Sequence, residues 1–92
     1  MAETVIRQFK IINDKGLHAR ASAKFVEVVE AHDARARVSK DGMDTDGDSI
    51  MGLLMLGGAF GATIEVETSG NEAEALMEAL AALIANRFGE ES

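Results

Sequence analysis

From Thr4 to Ile12 the apolar positions Val5, Phe9 and Ile11 are interleaved with polar ones, among them Gln8 and Lys10. That alternation predicts a half-buried strand, one face toward a core and the other toward water. Asn13, Asp14, Lys15 and Gly16 then read as a loop. Beyond it Ser22, Phe25, Val26 and Val29 fall at i, i+3, i+4 and i+7. This spacing predicts a helix from about Ala19 to about Ala31 with one buried face. Ala34, Ala36 and Val38 alternate with Arg35, Arg37 and Ser39, and the Lys40-Asp41-Gly42 turn leads into a second short strand from Met43 to Asp46. The pair reads as a hairpin.

Asp48 and Ser49, both good N-cap residues, stand before the apolar run Ile50, Met51, Leu53, Leu54, Met55 and Leu56, which Gly57 and Gly58 close. A short helix is expected there. Ile64 and Val66 alternate with Thr63, Glu65 and Glu67 as a fourth strand. The segment Ser69 to Asn71 is expected to cap a last helix whose stripe is Ala73, Leu76, Met77, Leu80, Leu83 and Ile84. The order is β-α-β-β-α-β-α. It predicts an α+β open-faced two-layer sandwich: a four-stranded antiparallel sheet with three helices on one face and the other face wet.

With 92 residues the chain has material for one core, so residues 1–92 are expected to form a single domain. It has four Phe and neither Trp nor Tyr, so aliphatic residues and Met must fill that core. Cysteine is absent, which excludes a disulfide scaffold and thiolate metal sites. No apolar run reaches the roughly 20 residues of a membrane span, and no basic leader opens the chain. A cytoplasmic protein without membrane insertion is expected. The formal net charge of −7 disfavours nucleic-acid partners. A site for phosphate would have to be built locally, from backbone amides and a few placed cations.

One segment has those parts. In Gly16-Leu17-His18-Ala19-Arg20, His18 falls at the N-cap of the first predicted helix and Arg20 in its first turn. Free amides and the positive end of the helix dipole favour a phosphoryl group there, and a guanidinium can fork onto its oxygens. The neutral imidazole is a competent nucleophile near neutral pH. Because phosphoryl transfer proceeds through a loose transition state, positioning and electrostatics are most of what such a site must supply. On position alone, a histidine at a helix start is more often a cap or a surface residue.

The same five residues resemble the active-site signature of the HPr phosphocarriers of bacterial phosphotransferase systems. The run Ser49-Ile50-Met51-Gly52-Leu53-Leu54-Met55-Leu56-Gly57 resembles that family's second motif at the matching separation. The likeness covers nearly the whole chain, including the Gly61-Ala62-Thr63-Ile64 entry to the last strand. It implies that enzyme I phosphorylates His18 on Nδ1 at the expense of phosphoenolpyruvate, that Arg20 is the phosphate partner, and that an enzyme IIA domain receives the group. The protein would be a stoichiometric carrier rather than an enzyme, a monomer without a cofactor. Many members have proline directly after the arginine, where this chain has Ala21, so the first helical turn should be less rigid. Ala19 to Phe25 and Ser49 to Leu56 look more like the nitrogen-regulatory branch than the sugar-uptake branch.

Ser49 reads as a helix N-cap. The resemblance adds regulatory phosphorylation by a serine kinase, reversed by a phosphorylase, although Asp46 and Asp48 already bring negative charge to that end. The second helix is apolar on more than one side, so some of Ile50, Met51 and Leu54 should be exposed. With Leu17 they form the expected docking patch. The rival from another class is a regulatory binding module switched at Ser49 with His18 idle; the pairing of His18 with Arg20 argues against it. No metal site is expected: aligning Asp44, Asp46 and Asp48 to the first ligands of an EF-hand puts Ser49 where Gly is required and Met55 where Glu is required. His32 reads as a capping or solvated residue, and the absence of a Walker loop leaves nucleotide binding without support.

Overall fold

The computed structural model describes residues 3–92. In chain order it forms β1 (Glu3–Lys10), α1 (Ala19–Glu30), β2 (Arg35–Lys40), β3 (Met43–Asp46), α2 (Ile50–Leu56), β4 (Thr63–Gly70) and α3 (Ala73–Ala85), followed by a 3-10 turn, Arg87–Gly89. The strands make one antiparallel sheet in the order β1-β4-β2-β3. β4 thus enters between β1 and β2, setting Phe9 opposite Ile64 and Val38 opposite Val66.

Alternation along the strands settles which face is covered. Ala36 and Val38 of β2 and Ile64, Val66 and Thr68 of β4 are buried, whereas Arg35, Arg37, Thr63 and Glu65 between them are exposed. The inward set packs on Phe25 and Val29 of α1 and on Leu76, Leu80 and Ile84 of α3 in one continuous core. Each such aliphatic or aromatic side chain contributes roughly 1.5–3 kcal/mol through burial. Thr68 is the inward polar exception, and its hydroxyl donates to the Ala73 carbonyl at 2.8 Å. α2 packs on β3 and on α1, completing the helical layer.

The β2–β3 connection is a two-residue hairpin. Asp41 and Gly42 both have left-handed φ values, 51° and 82°, and Lys40 pairs with Met43 across them. This primed-turn geometry matches the twist of the flanking strands. On the open side of the hairpin the Arg37 guanidinium bridges Asp44 at 2.5 Å and Asp46 at 3.0 Å, and the Asp44 bond is the main reason its charge is held even more firmly than usual.

Two expectations need correction. β1 ends at Lys10 rather than Ile12: from Ile11 onward the partner is a turn, in which Ile11 N–H donates to Ala62 and Gly61 N–H donates back to Ile11. Ser69 to Asn71 do not cap α3, because β4 continues through Ser69 and Gly70 and Asn71 reaches sideways to Asp33 at 3.0 Å. Glu72 occupies the N-cap, and its carboxylate accepts the Asp33 amide of the α1–β2 loop at 2.6 Å instead of capping α3. His32 follows the α1 C-cap, Ala31, with Nδ1 2.8 Å from the Val28 carbonyl. Among the described residues no helix is long and apolar enough to cross a membrane.

Candidate functional site: a histidine at the start of α1

The loop between β1 and α1 is pinned from two sides. Leu17 N–H donates to the Gly58 carbonyl at 2.8 Å, and the Ser22 hydroxyl donates to the Leu17 carbonyl at 3.1 Å. Gly16 has φ +65°, and a Cβ there would lie 2.2 Å from the Gly58 oxygen, so no other residue fits without moving the turn after α2. The chain is therefore delivered to His18 in one defined conformation.

His18 is the N-cap of α1, with extended backbone (φ −72°, ψ −179°), and its carbonyl accepts the Ser22 amide at 2.8 Å. Its ring does the capping: Nδ1 accepts the Arg20 backbone N–H at 3.2 Å. That bond makes Nδ1 the unprotonated nitrogen and leaves the proton on Nε2. The ring is partly exposed, at 27%. No acidic residue stands in the first turn of α1, so the positive end of the helix is uncompensated from within. The Arg20 side chain is exposed and forms no ion pair among the described residues. Ala21, by contrast, is fully buried against the core.

Three residues of the site had no signal in the sequence. Glu90, 72 positions beyond His18, hydrogen-bonds the ring at Nε2. Asn13 holds the other oxygen of that carboxylate: its Nδ2 donates to Glu90 Oε1 at 3.1 Å and to the Gly16 carbonyl at 2.9 Å. With both acceptors on one side, the amide cannot be flipped, and its Oδ1 is left buried without a partner. Lys24 of α1 donates to the Phe88 carbonyl at 2.7 Å. The His18 hydrogen bond, then that of Asn13, holds the Glu90 carboxyl below its usual range, with Lys15 acting in the same direction at longer reach.

Ser49 is the N-cap of α2, its Oγ accepting the Gly52 N–H at 3.0 Å. Of the two nearby acids, Asp46 is drawn onto Arg37 while Asp48 stays exposed. Ile50, Met51 and Leu54 are exposed at 41%, 69% and 37%, as the excess of apolar residues on α2 requires. Leu17 does not join them. It is 5% exposed because its side chain packs beneath Gly58, within the core. The surface extends instead through Met55 and, in the following loop, Phe60.

Residues 5–86 match the PTS-HPr family model, described as the PTS HPr component phosphorylation site. The chain belongs to the HPr family. It is 46% identical over 84 residues to the phosphocarrier protein HPr of Cupriavidus necator, covering 91% of this chain and 94% of that one. The phosphocarrier protein NPr of Escherichia coli K12 is 36% identical over 89 residues, covering 96% and 99%. Among solved structures, HPr-C-His from Thermoanaerobacter tengcongensis superposes with a TM-score of 0.91 at 34% identity, covering 96% of this chain and 99% of that one. Relatives named HPr and NPr both match along nearly their full length, so these identities place the chain in the HPr family without choosing a branch.

Proposed function

We propose that this HPr-family phosphocarrier takes up a phosphoryl group on Nδ1 of His18 and passes it on as a stoichiometric carrier. The observation that carries this reading is the ring's bonding: Nδ1 accepts a backbone N–H of the first turn of α1. Its lone pair therefore points to where free amides and the helix dipole favour an anion. Arg20 supplies an exposed guanidinium for the equatorial oxygens, and charge developing on them is met by the amides of the first turn.

The donor is enzyme I, charged by phosphoenolpyruvate, and the acceptor an enzyme IIA domain, both met in the cytoplasm by the monomer. Ile50, Met51 and Leu54 of α2, extended by Met55 and Phe60, form the docking surface. Adaptable thioethers and aliphatic groups suit a protein that engages more than one partner in turn. Phosphorylation of Ser49 by a kinase would place a dianion at the start of α2 beside Asp48 and change that surface electrostatically. The α1 and α2 signatures support the nitrogen-regulatory branch.

Incubation with enzyme I and phosphoenolpyruvate tests the reading. The protein should gain an acid-labile, alkali-stable phosphate that the His18→Ala variant cannot accept. A label retained by that variant, or none on the native protein, overturns it.

A further inference from the structure

The segment after α3 is built to deliver one carboxylate. Arg87, Phe88 and Gly89 all have left-handed φ values, 54°, 55° and 79°. For the two that are not glycine this costs roughly 1–2 kcal/mol each. The conformation is held by Phe88, whose side chain is fully buried in the core, and by Lys24, which takes its carbonyl. A buried anchor and a hydrogen bond from α1 thus hold a strained backbone in place. Its outcome is Glu90, with one oxygen on Asn13 and the other on Nε2 of His18.

The chemistry of attack gives that contact a purpose. When the Nδ1 lone pair of a neutral imidazole forms a bond to phosphorus, the donor's bond to phosphorus breaks and its electron pair leaves with the donor. The proton stays on Nε2, and the ring becomes a phosphoimidazolium bearing a positive charge. A carboxylate on Nε2–H is then bound more tightly than before attack, which is the condition for it to assist the step. On onward transfer the N–P bond breaks, its electron pair returns to Nδ1, and the ring is neutral again with its Nε2 proton in place. The charged groups around this contact are cations on α1 and its entry loop: Lys15 acts on Glu90 at longer reach, Arg20 touches the ring through its backbone N–H, and Lys24 is held on the Phe88 carbonyl. Among the described residues Glu90 is the carboxylate bonded to the ring.

We infer that Glu90 is a positioning residue for phosphoryl transfer, which holds the Nε2–H of His18 and stabilises the positive charge that the ring acquires when Nδ1 is phosphorylated. The role rests on the carrier reading above and deepens it. The low pKa of Glu90 keeps the group ionised at neutral pH, as the role requires.

The test compares the native chain with Glu90→Gln, which keeps an acceptor oxygen and removes the charge, and with Glu90→Asp. Each is phosphorylated by enzyme I and phosphoenolpyruvate, and hydrolysis of the phosphohistidine is followed against pH. Hydrolysis slows as Nε2 loses its proton. The midpoint of that fall should lie about 1 pH unit lower in Glu90→Gln, the usual scale for losing one nearby opposite charge. Acceptance of phosphate from enzyme I should slow about tenfold, the rate equivalent of that shift. Glu90→Asp should recover part of both. A role confined to folding would lower the denaturation midpoint and leave the pH midpoint in place. A native protein that takes phosphate alongside a Glu90→Gln variant with unchanged pH midpoint and acceptance rate overturns the role of Glu90 alone. A native protein that takes no phosphate overturns the carrier reading itself.

Discussion

Lys24 Nζ donates to the Phe88 carbonyl at 2.7 Å, so the helix that begins at His18 also holds the segment that returns Glu90 to it. Two ends of the site are fastened through one element. Lys24→Met keeps most of the aliphatic stem and leaves the carbonyl without its donor. The expected loss is about 1–2 kcal/mol, the scale for a hydrogen bond made by a charged group that is partly buried. Urea unfolding measures it, and an unchanged midpoint would mean that the contact carries no weight.

Gly52 is fixed by its neighbour across the β3–α2 junction. A Cβ at that position would stand 1.8 Å from the Thr45 hydroxyl oxygen and 2.8 Å from its Cβ. Gly52→Ala should therefore destabilise the fold by about 1–3 kcal/mol through overpacking. Adding Thr45→Ala removes the closer of the two atoms and should restore part of the loss. A double-mutant cycle in thermal unfolding gives the coupling, and strict additivity would contradict the contact.

Acid should loosen the segment that carries Glu90. Its carboxyl is held below the ordinary 4.5, chiefly by the hydrogen bond to His18. A lowered carboxyl adds stability that is complete above the unfolded-state value and disappears as pH falls through the folded-state value. The part of the stability difference between the native chain and Glu90→Gln that comes from the ionised carboxylate should be lost as pH falls below about 5. Urea midpoints collected from pH 3 to pH 7 check this, and a gap that persists unchanged in acid would refute it.

Met51 is 69% exposed and contributes nothing to the core. Met51→Glu should leave stability within about 0.5 kcal/mol, as surface changes usually do. The same change should weaken phosphate uptake from enzyme I in steady-state assays through KM more than through kcat, since it acts on docking and not on the ring. Uptake at the native rate would remove Met51 from the docking surface.

Local signals carried most of the fold. The alternation around Val38 and Val66 and the helical stripe from Ala73 to Ile84 each mark a face that packing then buried. His18 and Arg20 were legible for the same reason, since a cap and its first turn are neighbours in sequence. Errors arose where a distant partner overrides a local preference. Leu17 sits in an exposed-looking loop but is drawn under Gly58, and Asn71, a natural cap, is taken by Asp33. Glu90 lay beyond reach altogether. Nothing in its surroundings points to His18 until α3 and the buried Phe88 have turned the chain back.

The place of β4 bears on how the molecule comes into being at the ribosome. β1 and β2 do not pair with each other; β1 is joined to the rest of the sheet through β4, a strand made much later, as the pairing of Glu3 with Gly70 illustrates. A nascent chain can form α1 and the β2–β3 hairpin early, but its first strand must wait unpaired until residue 70 has left the exit tunnel. Closing so wide a loop is the slow kind of step in folding, so assembly of the sheet is expected to follow synthesis of β4 rather than accompany that of β1.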